Sequence, residues 1–445
     1  MEGMKTIIAM LLSGKNVSDY MPDVVNIVTE NIHLKRLIYY FLIYTCESGS
    51  SEILMSINSF HKDLTDGSAL IRASALRAIS SMRIEEILPI LLISIQRAVN
   101  DFSIYVRKAA CLTLLKLSEM EDVDNDTLIA MVQKLIADNS MIVVGPAIHV
   151  MSELCPDRLD FLHASFRRIC REIENVEMLY LPSVIDVLMQ YARAHLDQGF
   201  VGLGGGRYNP DLKLLLASVF PLLHCSSPAV KVSIATLYLN FNFEESWTEA
   251  AKALLSFKDE YDELAYVMLA TILEFVKRRP AVFHPFLTYF YIGGKDSFSV
   301  ARYKMDIISY LASDMNIISV IKELMAVTRN SNSKIASHAI TTIGLIALRD
   351  ATLSDICAKN LIILLRTKVD YVAAESIVVL RKLITKDPVK YSKVITHCAK
   401  ISDSLTVPRA LASSIWIIGH YCDKIPTLAV ENFRKLVLGF REVED

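Results

Sequence analysis

The stretch from Asp66 to Leu117 states one pattern twice, at an interval of 35 residues. Counted from Asp66 and from Asp101, a branched aliphatic residue follows at the fifth position, an arginine at the sixth and an alanine at the ninth. A third copy begins at Asp138, where the aliphatic residue and the alanine return in the same register. A period of this length indicates a chain built from stacked structural units, and it restricts the fold more than any other feature.

Each part of the pattern has a use in a stack of helical hairpins. An aspartate before a helix accepts hydrogen bonds from N–H groups that the first turn leaves unpaired, and an alanine lets a neighbouring helix approach. The arginine is expected to join an aspartate of the neighbouring repeat, as is usual in HEAT-type arrays. This structural ladder is predicted to contain Asp66, Arg72, Asp101, Arg107, Asp138, Asp296, Arg302, Asp403 and Arg409.

The pattern returns along most of the chain. Repeats begin near residues 29, 66, 101, 138 and 176, and again near 225, 261, 296, 330, 367 and 403. The later starts lie 36, 35, 34, 37 and 36 residues apart, and all of them together give about eleven hairpins. We therefore predict an all-α fold, a HEAT-like or armadillo-like solenoid curved into a superhelix. Gly145 and Pro146 are expected to kink or delay the second helix of their repeat.

One glycine-rich run interrupts the repeats. Residues 197–209 hold five of the 15 glycines. We interpret this run as a linker loop between an N-terminal arm, residues 1–196, and a second arm, residues 210–445. A phosphate-binding loop is the alternative, but the glycines match neither GxGxxG nor GxxxxGK[ST], and no strand precedes them.

The overall amino-acid composition favours a cytosolic protein whose surface is partly covered by other chains. Hydrophobic residues make up 52% of the 445, yet there is no apolar run of 18 or more residues and no secretory cleavage site. Lys and Arg total 47 against 49 Asp and Glu, so the net charge of −2 offers no general attraction for nucleic acid. The eight cysteines form no CxxC pair, as expected of reduced thiols in helical cores.

No combination of residues points to catalysis, a cofactor or a metal. The ten histidines are scattered and form neither HxxxH nor HExxH nor a cluster with zinc spacing. The sequence also lacks the GxSxG motif of a serine nucleophile. An enzyme built on a helical array thus has no positive support, and we predict a protein that binds other proteins.

The short basic clusters are mostly expected to be solvated faces or ladder members, because acidic residues lie near them. The most compact cluster is Lys277, Arg278 and Arg279. These three residues form the candidate for a shallow patch that contacts anionic lipid or an acidic partner.

Several motifs make the chain resemble a known family, the beta-type large subunits (beta-adaptins) of the adaptor protein complexes that build transport-vesicle coats. The motifs include GKNVSDYMPDVV at 14–25, LIRASALRAISSMRI at 70–84, ESIVVLRKLI at 375–384 and DSLTVPRALASSIWIIGHYC at 403–422. The resemblance covers nearly the whole chain. Within the family, RASA at 72–75, CPDR at 155–158 and YAR at 191–193 are most similar to adaptor protein complex 3.

The resemblance implies a scaffold that is not an enzyme and has no cofactor. Its partners would be a second large adaptin subunit, a medium (mu) subunit and a small (sigma) subunit. The heterotetramer would select cargo that carries tyrosine-based or dileucine signals after an Arf-type GTPase recruits it. The chain is then expected in the cytoplasm, peripherally associated with Golgi and endosomal vesicle membranes.

Two departures from the family limit these expectations. Relatives usually begin earlier, with a basic first helix, and continue through more trunk to a hinge and an ear, which we do not expect here. A part in membrane docking or clathrin binding is therefore not assigned to this chain. The alternative is a karyopherin-like transport receptor or another HEAT-repeat scaffold. Such receptors tend to be longer and more acidic, so the net charge and the adaptin motifs favour the adaptor subunit.

Overall fold

A computed structural model describes residues 1–15, 17–47, 56–82, 87–120, 123–196, 209–241, 243, 246–256, 262–294, 296–330, 332–350, 352–367, 369–402, 405 and 407–439. Within these ranges the secondary structure is α-helix with short 3-10 turns, and no strand occurs, so the all-α prediction is confirmed. By its internal contacts the chain divides into two units, Met1–Phe241 and Asn242–Asp445. Residues 197–208 of the predicted linker lie outside the described residues, and the linker stays a prediction.

The described part of the first unit contains thirteen α-helices. Their bounds are α1 Glu2–Leu12, α2 Met21–Val25, α3 Ile32–Glu47, α4 Ile57–Leu64, α5 Ala69–Ile79, α6 Leu88–Ala98, α7 Ile104–Ser118, α8 Asn125–Ile136, α9 Met141–Leu154, α10 Phe166–Arg171, α11 Leu181–His195, α12 Pro210–Val219 and α13 Pro228–Asn240. Odd-numbered helices from α3 to α13 pack on one another in succession, so they form one continuous layer of stacked helices.

In the second unit, ten α-helices lie within the described ranges. They are α14 Trp247–Leu255, α15 Asp262–Arg278, α16 Phe298–Leu311, α17 Ile317–Val327, α18 Ser333–Arg349, α19 Ser354–Leu365, α20 Asp370–Lys386, α21 Ser392–Ile401, α22 Pro408–His420 and α23 Pro426–Gly439. Here α15, α16, α18, α20 and α22 stack in succession. The 3-10 turns Pro280–Val282 and His284–Phe290 fill the place of a regular helix between α15 and α16.

The predicted repeat starts coincide with the starts of these stacked helices. Nine of the eleven predicted positions lie three to five residues before the start of α3, α5, α7, α9, α11, α13, α18, α20 or α22, and the other two lie one residue before α15 and two residues before α16. The aliphatic residues at the fifth position, such as Ile71, Val106 and Val143, are buried. The alanines at the ninth position, Ala75, Ala110 and Ala147, are at most 1% exposed. The solenoid of helical hairpins is therefore confirmed.

The helix that contains Gly145 and Pro146 is not delayed. Helix α9 begins at Met141 and runs through Pro146 to Leu154, so the expectation of a late start is wrong. A proline has a helical φ and costs one backbone hydrogen bond, and the apolar burial of this helix compensates for that loss. Gly145 has a packing role, since a Cβ atom there would lie 2.9 Å from Cγ1 of Val176. The absent side chain lets the segment before α11 cross α9 closely.

A second close approach occurs in the second unit, between α18 and α20. A Cβ atom added to Gly344 would lie 2.2 Å from Cγ1 of Val379. Both residues are buried, and they belong to helices that pack directly on one another. Glycine is unfavourable inside a helix, so its presence here indicates that the helix spacing requires it.

Substitution of Gly344 is expected to destabilise the second unit. In Gly344→Ala the new methyl group must displace the buried Val379, and overpacking of this kind costs about 1–3 kcal/mol. Chemical denaturation followed by circular dichroism measures the change. The double variant Gly344→Ala, Val379→Ala should recover part of the loss.

Gly419 provides the matched control, because it is also inside a helix but a Cβ there would meet only Phe433 Cζ at 3.8 Å. Gly419→Ala should be neutral or stabilising by up to about 1 kcal/mol, from helix propensity alone. Equal effects of the two alanine substitutions would contradict the close approach of α18 and α20.

Candidate functional site

The ion pair between Arg72 of α5 and Asp101, in the loop before α7, ties two successive repeats together. Nε of Arg72 donates to Oδ2 of Asp101 at 2.9 Å, and Nη2 donates to Oδ1 at 2.8 Å. Nη1 of the same guanidinium donates to the carbonyl oxygens of Asp66 and Gly67 at 2.8 and 3.1 Å. One arginine thus joins the loop before its own helix to the loop of the next repeat. A bidentate pair fixes orientation as well as distance.

Arg107 of α7 repeats this geometry with Asp138. Its Nε donates to Oδ2 at 2.6 Å and its Nη2 to Oδ1 at 3.2 Å. Its Nη1 donates to the carbonyl oxygens of Asp101 and Phe102 at 2.7 and 3.1 Å. The structure therefore brings together the first five predicted ladder residues. The next residue in the same register is Val144, which is buried and apolar, so this series of arginines ends at Arg107.

A lysine precedes the two arginines in the series. Lys35 lies six residues after the repeat start at 29, the register of Arg72 and Arg107. Its Nζ lies 2.5 Å from Oδ1 of Asp63 and 3.7 Å from Oδ2 of Asp66. Lys35 is not among the predicted ladder residues, although its register is the sequence signal that identifies it.

Tyr39 completes the buried group around Lys35. Its hydroxyl donates to Oδ2 of Asp63 at 2.6 Å. Burial, together with this hydrogen bond, raises the pKa of Tyr39 well above its usual value. The phenol therefore remains protonated and keeps donating, and Asp63 has a partner on each oxygen.

The ladder aspartates also determine where the helices begin. Oδ1 of Asp66, Asp101 and Asp138 accepts from the backbone N–H of Ser68, Ser103 and Ser140 at 2.8, 2.8 and 2.9 Å. This side-chain turn places each serine at the N-cap of its helix. Desolvation alone would raise the pKa of Asp101, but the hydrogen bonds from Arg72 and Ser103 outweigh it and lower that pKa.

The ladder residues predicted for the second unit have other partners. Asp296 pairs with Lys304 of α16 at 2.6 Å, a buried pair within one repeat, whereas Arg302 is exposed. Arg409 of α22 lies 3.3 Å from Oε1 of Glu375 in α20, so it contacts the preceding repeat rather than the next one. Asp403 lies outside the described residues. The structure thus does not bring Asp296 and Arg302 into an arginine–aspartate ladder.

A different series of cations links the repeats of the second unit. Nη2 of Arg349 donates to the carbonyl oxygens of Tyr310 and Ala312, at the end of α16. Nζ of Lys386 donates to the carbonyl of Leu348 at 2.5 Å. Nζ of Lys424 donates to the carbonyl of Pro388 at 2.7 Å. Carbonyl groups at helix C-termini lack partners and carry partial negative charge, so Arg349 and Lys386 stabilise the ends of α16 and α18, whereas Lys424 bonds a carbonyl two residues beyond the end of α20.

The predicted basic patch, residues Lys277, Arg278 and Arg279, is exposed at the end of α15. Nζ of Lys277 lies 2.7 Å from Oε1 of Glu274, one turn earlier, and this hydrogen bond raises the pKa of Lys277. The guanidinium of Arg279 lies 4.9 Å from the ring centroid of Trp247. Two of the three cations therefore have contacts within the chain, which reduces what the patch can offer a partner.

His, Cys, Asp and Glu side chains are distributed along the described residues. No group of three or more His, Cys, Asp or Glu side chains in those ranges is arranged to hold a metal. Burial raises the pKa of Cys111, Cys170, Cys357 and Cys398 to about 12, so these thiols are unreactive parts of the core. No helix in the described part of the chain is long and apolar enough to span a bilayer.

Comparison with known proteins relates this chain to the adaptins. Residues 1–440 match the family described as the adaptin N terminal region. The chain is 33% identical to AP-3 complex subunit beta-2 of Mus musculus, over the whole chain and 44% of that protein. It is 30% identical to AP-3 complex subunit beta of Dictyostelium discoideum, over 99% of the chain and 47% of that protein. The chain thus spans less than half the length of these relatives.

A structural comparison gives a related result. The chain superposes with a TM-score of 0.69 on a chain of a homology model of the full-length AP-3 complex in an intermediate open conformation. The match has 25% sequence identity and covers 99% of this chain and 77% of the other. The similarity in fold therefore extends over almost every repeat.

Loss of a ladder arginine is expected to destabilise the first unit. In Arg72→Ala the half-buried carboxylate of Asp101 loses two charge-assisted hydrogen bonds, which costs about 1–3 kcal/mol. Because the pKa of Asp101 is lowered in the folded protein, this stabilisation is present above the ordinary carboxyl pKa and is lost as pH falls through the folded value.

Urea denaturation of the wild type and of Arg72→Ala should therefore show the largest difference near pH 7, shrinking below about pH 4. Arg302→Ala serves as the control, since that arginine is exposed and lies outside the ladder. A pH-independent difference for Arg72→Ala would contradict a role of the ion pair.

Proposed function

The chain belongs to the adaptin family, and we propose that it serves as the beta-type large subunit of a heterotetrameric adaptor protein complex, most like AP-3. The observation that carries the proposal is the similarity to AP-3 beta subunits over all or nearly all of the chain. In this role it takes part in vesicle-mediated protein transport and cargo sorting. It acts as a scaffold and not as an enzyme.

The partners in this proposal are a second large adaptin subunit, a medium subunit and a small subunit. A solenoid suits such a role, because stacked repeats present a long surface while each repeat depends on its neighbours alone for stability. The ladder supports the same role, since its bidentate pairs hold successive loops in fixed orientation. A rigid array loses little conformational freedom when partners bind.

We further propose that the complex is cytoplasmic and binds endosomal or Golgi membranes peripherally, after recruitment by an Arf-type GTPase. Individual contacts to lipid, cargo and GTPase can each be weak, because contacts made by one assembly add through effective concentration. The basic patch at Lys277, Arg278 and Arg279 is the proposed lipid contact of this chain. Its share is small, since two of its cations already have intramolecular contacts.

The karyopherin-like alternative has weaker support. The adaptin family match extends over residues 1–440, which leaves little of the chain unaccounted for. Recovery of the chain with a GTP-loaded Ran-type GTPase, and with no large subunit, would favour that alternative.

Co-expression tests the proposed assembly. The chain is produced together with the other large, medium and small subunits of an AP-3 complex, and size-exclusion chromatography with light scattering measures the mass of the product. We expect a stable assembly of four chains, because the apolar surface of the array is covered by its partners. A chain that elutes alone, with none of the three partners, would contradict the proposal.

Neutralising the basic patch tests the lipid contact. The variant Lys277→Gln, Arg278→Gln, Arg279→Gln, in the assembled complex, should bind vesicles that contain phosphatidylserine about fivefold more weakly. A cation near an anionic surface contributes about 1 kcal/mol, and two of the three already have intramolecular contacts that reduce their share. Sedimentation with the vesicles measures the bound fraction.

A matched control removes the same charge elsewhere in the second unit. Lys322, Lys334 and Lys359 are exposed and scattered, so their replacement by glutamine should leave vesicle binding nearly unchanged. An equal loss of vesicle binding in both variants would show that the effect comes from net charge alone. Unchanged vesicle binding in both variants would show that the basic patch is not a lipid contact.

A further inference from the structure

Aromatic rings and a cation meet on the surface that α20 and α22 share in the second unit. The rings of Trp416 and His420 are stacked, with centroids 4.9 Å apart and an angle of 12° between their planes. The ring centroid of Tyr421 lies 6.3 Å from that of Trp416 and 4.8 Å from that of His420. The guanidinium of Arg381, in α20, lies 5.8 Å from the centroid of the Trp416 ring. We call these four residues the aromatic platform, and their contacts show that it is one continuous surface.

Two hydrogen bonds to the region where α20 ends hold the platform in place. The hydroxyl of Tyr421 donates to the carbonyl oxygen of Ile384 at 3.4 Å. Nζ of Lys424 donates to the carbonyl oxygen of Pro388 at 2.7 Å, and the same ammonium lies 5.7 Å from the ring centroid of Tyr421. The platform is therefore preorganised, so a partner loses little free energy to the ordering of these side chains when it binds.

The platform is accessible, although it is built from aromatic side chains. Trp416 is 39% exposed, whereas the other tryptophan of the chain, Trp247, is 7% exposed. His420 is exposed as well, and Arg381 is half-buried beside the indole. A single exposed apolar residue is ordinary in any protein. A tryptophan and an arginine exposed side by side are instead the residue types that dominate the binding energy of protein interfaces.

The platform offers hydrogen-bond donors that no acceptor of the described chain uses. Within the described ranges, the guanidinium of Arg381 and the indole N–H of Trp416 form neither a hydrogen bond nor an ion pair. Both groups can donate and neither can accept. The ligand that fits them therefore carries acceptor oxygens, and a guanidinium binds a carboxylate best because it can form two parallel hydrogen bonds.

Neighbouring cations differ from Arg381, because acceptors of the chain already occupy them. Nη1 of Arg409 lies 3.3 Å from Oε1 of Glu375, and Nζ of Lys390 lies 2.9 Å from Oδ1 of Asp355. Nζ of Lys386 donates to the carbonyl oxygen of Leu348. Arg381 is thus a cation held next to an aromatic ring with its donors still available.

The charge of this part of the chain favours an anionic ligand. Residues 370–439, from the start of α20 to the end of α23, contain ten Lys and Arg against six Asp and Glu. The rest of the chain has the opposite balance, 37 against 43. Two carboxylates, Asp387 and Asp423, lie next to the platform in sequence, and four cations outnumber them there: Arg381, Lys382, Lys386 and Lys424. The field at the platform is therefore positive after its own acids are counted.

The geometry favours a protein ligand over an anionic membrane. Membranes attract clusters of projecting lysines and arginines whose charges add without a fixed arrangement. Here the central cation is half-buried against a ring, and both Lys386 and Lys424 are bound to backbone carbonyls. A fixed guanidinium next to a stacked pair of rings can recognise a carboxylate and an apolar side chain that lie close together on one chain.

From these observations we propose that the aromatic platform binds an acidic segment of a partner protein. A carboxylate of the segment pairs with Arg381, and an apolar side chain beside that carboxylate packs on the rings of Trp416 and His420. The indole N–H of Trp416 supplies a further donor. This site goes beyond the assembly proposed above and does not depend on it, because it uses only contacts within the second unit.

Tryptophan fluorescence of the full chain tests the proposal, because Trp416 lies in the site itself. The chain has two tryptophans, so Trp247→Phe leaves Trp416 as the single source of this emission. The probe is a peptide of about nine residues, with one central phenylalanine and glutamates on both sides of it. We expect the peptide to change the emission of Trp416 in a saturable way, and a peptide with glutamine in place of glutamate to bind more weakly.

Substitutions of Arg381 test the contact, and an arginine elsewhere in the unit provides the matched control. Arg381→Gln should bind the acidic peptide at least about tenfold more weakly, since the carboxylate loses its charged partner. Arg381→Lys keeps the charge but not the planar pair of donors, so it should still bind about threefold more weakly. Arg329→Gln removes an exposed arginine just after α17 and should bind like the parent. Circular dichroism should show every variant folded, because Arg381 forms no hydrogen bond or ion pair within the described residues.

Three results would overturn the proposal. The acidic peptide could leave the emission of Trp416 unchanged up to millimolar concentration. It could also lose affinity equally for Arg381→Gln and Arg329→Gln, which would show an effect of net charge alone. Alternatively, vesicles of phosphatidylcholine and phosphatidylserine could change the emission while the peptide does not, which would assign the platform to a lipid surface. Each of these results is independent of whether the chain assembles with the other adaptor subunits.

Discussion

The structure of the first unit depends on one interaction, the guanidinium that bonds two loops at once. In Arg72 and in Arg107, two guanidinium nitrogens donate to a carboxylate of the next repeat, and the third donates to the backbone carbonyls of the loop before the arginine's own helix. The same carboxylates accept hydrogen bonds from the backbone N–H groups of the serines at the N-cap positions of α7 and α9. The start of a helix and its distance from its neighbour are therefore determined by the same few atoms. A lysine could supply the positive charge, but it lacks the planar group of separate N–H donors with which arginine binds two loops at once.

The sequence was sufficient to predict this ladder and the helix starts, because both depend on residue types at fixed positions. Asp, Arg and Ala keep their register, and their chemistry in a stacked hairpin has few alternatives. The same reasoning failed for Asp296 and Arg302, which have the expected residue types at the expected spacing but do not bond each other or a neighbouring repeat as the ladder residues do. Lys304, two residues after Arg302, is buried close enough to bond Asp296 within its own repeat. A spacing rule does not reveal which of two nearby cations turns inward.

Contacts to the backbone were beyond prediction for a different reason. Arg349, Lys386 and Lys424 donate hydrogen bonds to backbone carbonyl oxygens. Because every residue has a backbone carbonyl, the sequence does not indicate which residue is the acceptor. The bridge from Lys108 to Glu177 spans 69 residues, and the segment that ends near Glu177 crosses α9 closely at Gly145. The proposed role in an adaptor complex came from the resemblance of whole motifs.

The short sequence separation of the ladder contacts has a consequence for how the chain is made. Arg72 and Asp101 are 29 residues apart, and Arg107 and Asp138 are 31 apart, each less than one repeat. A ribosome that adds residues in order exposes each arginine shortly before the aspartate that receives it. The first unit can therefore gain its connections one repeat at a time, with no need to wait for a distant segment. Contacts this local also favour rapid folding, which limits how long an apolar helix face stays uncovered during synthesis.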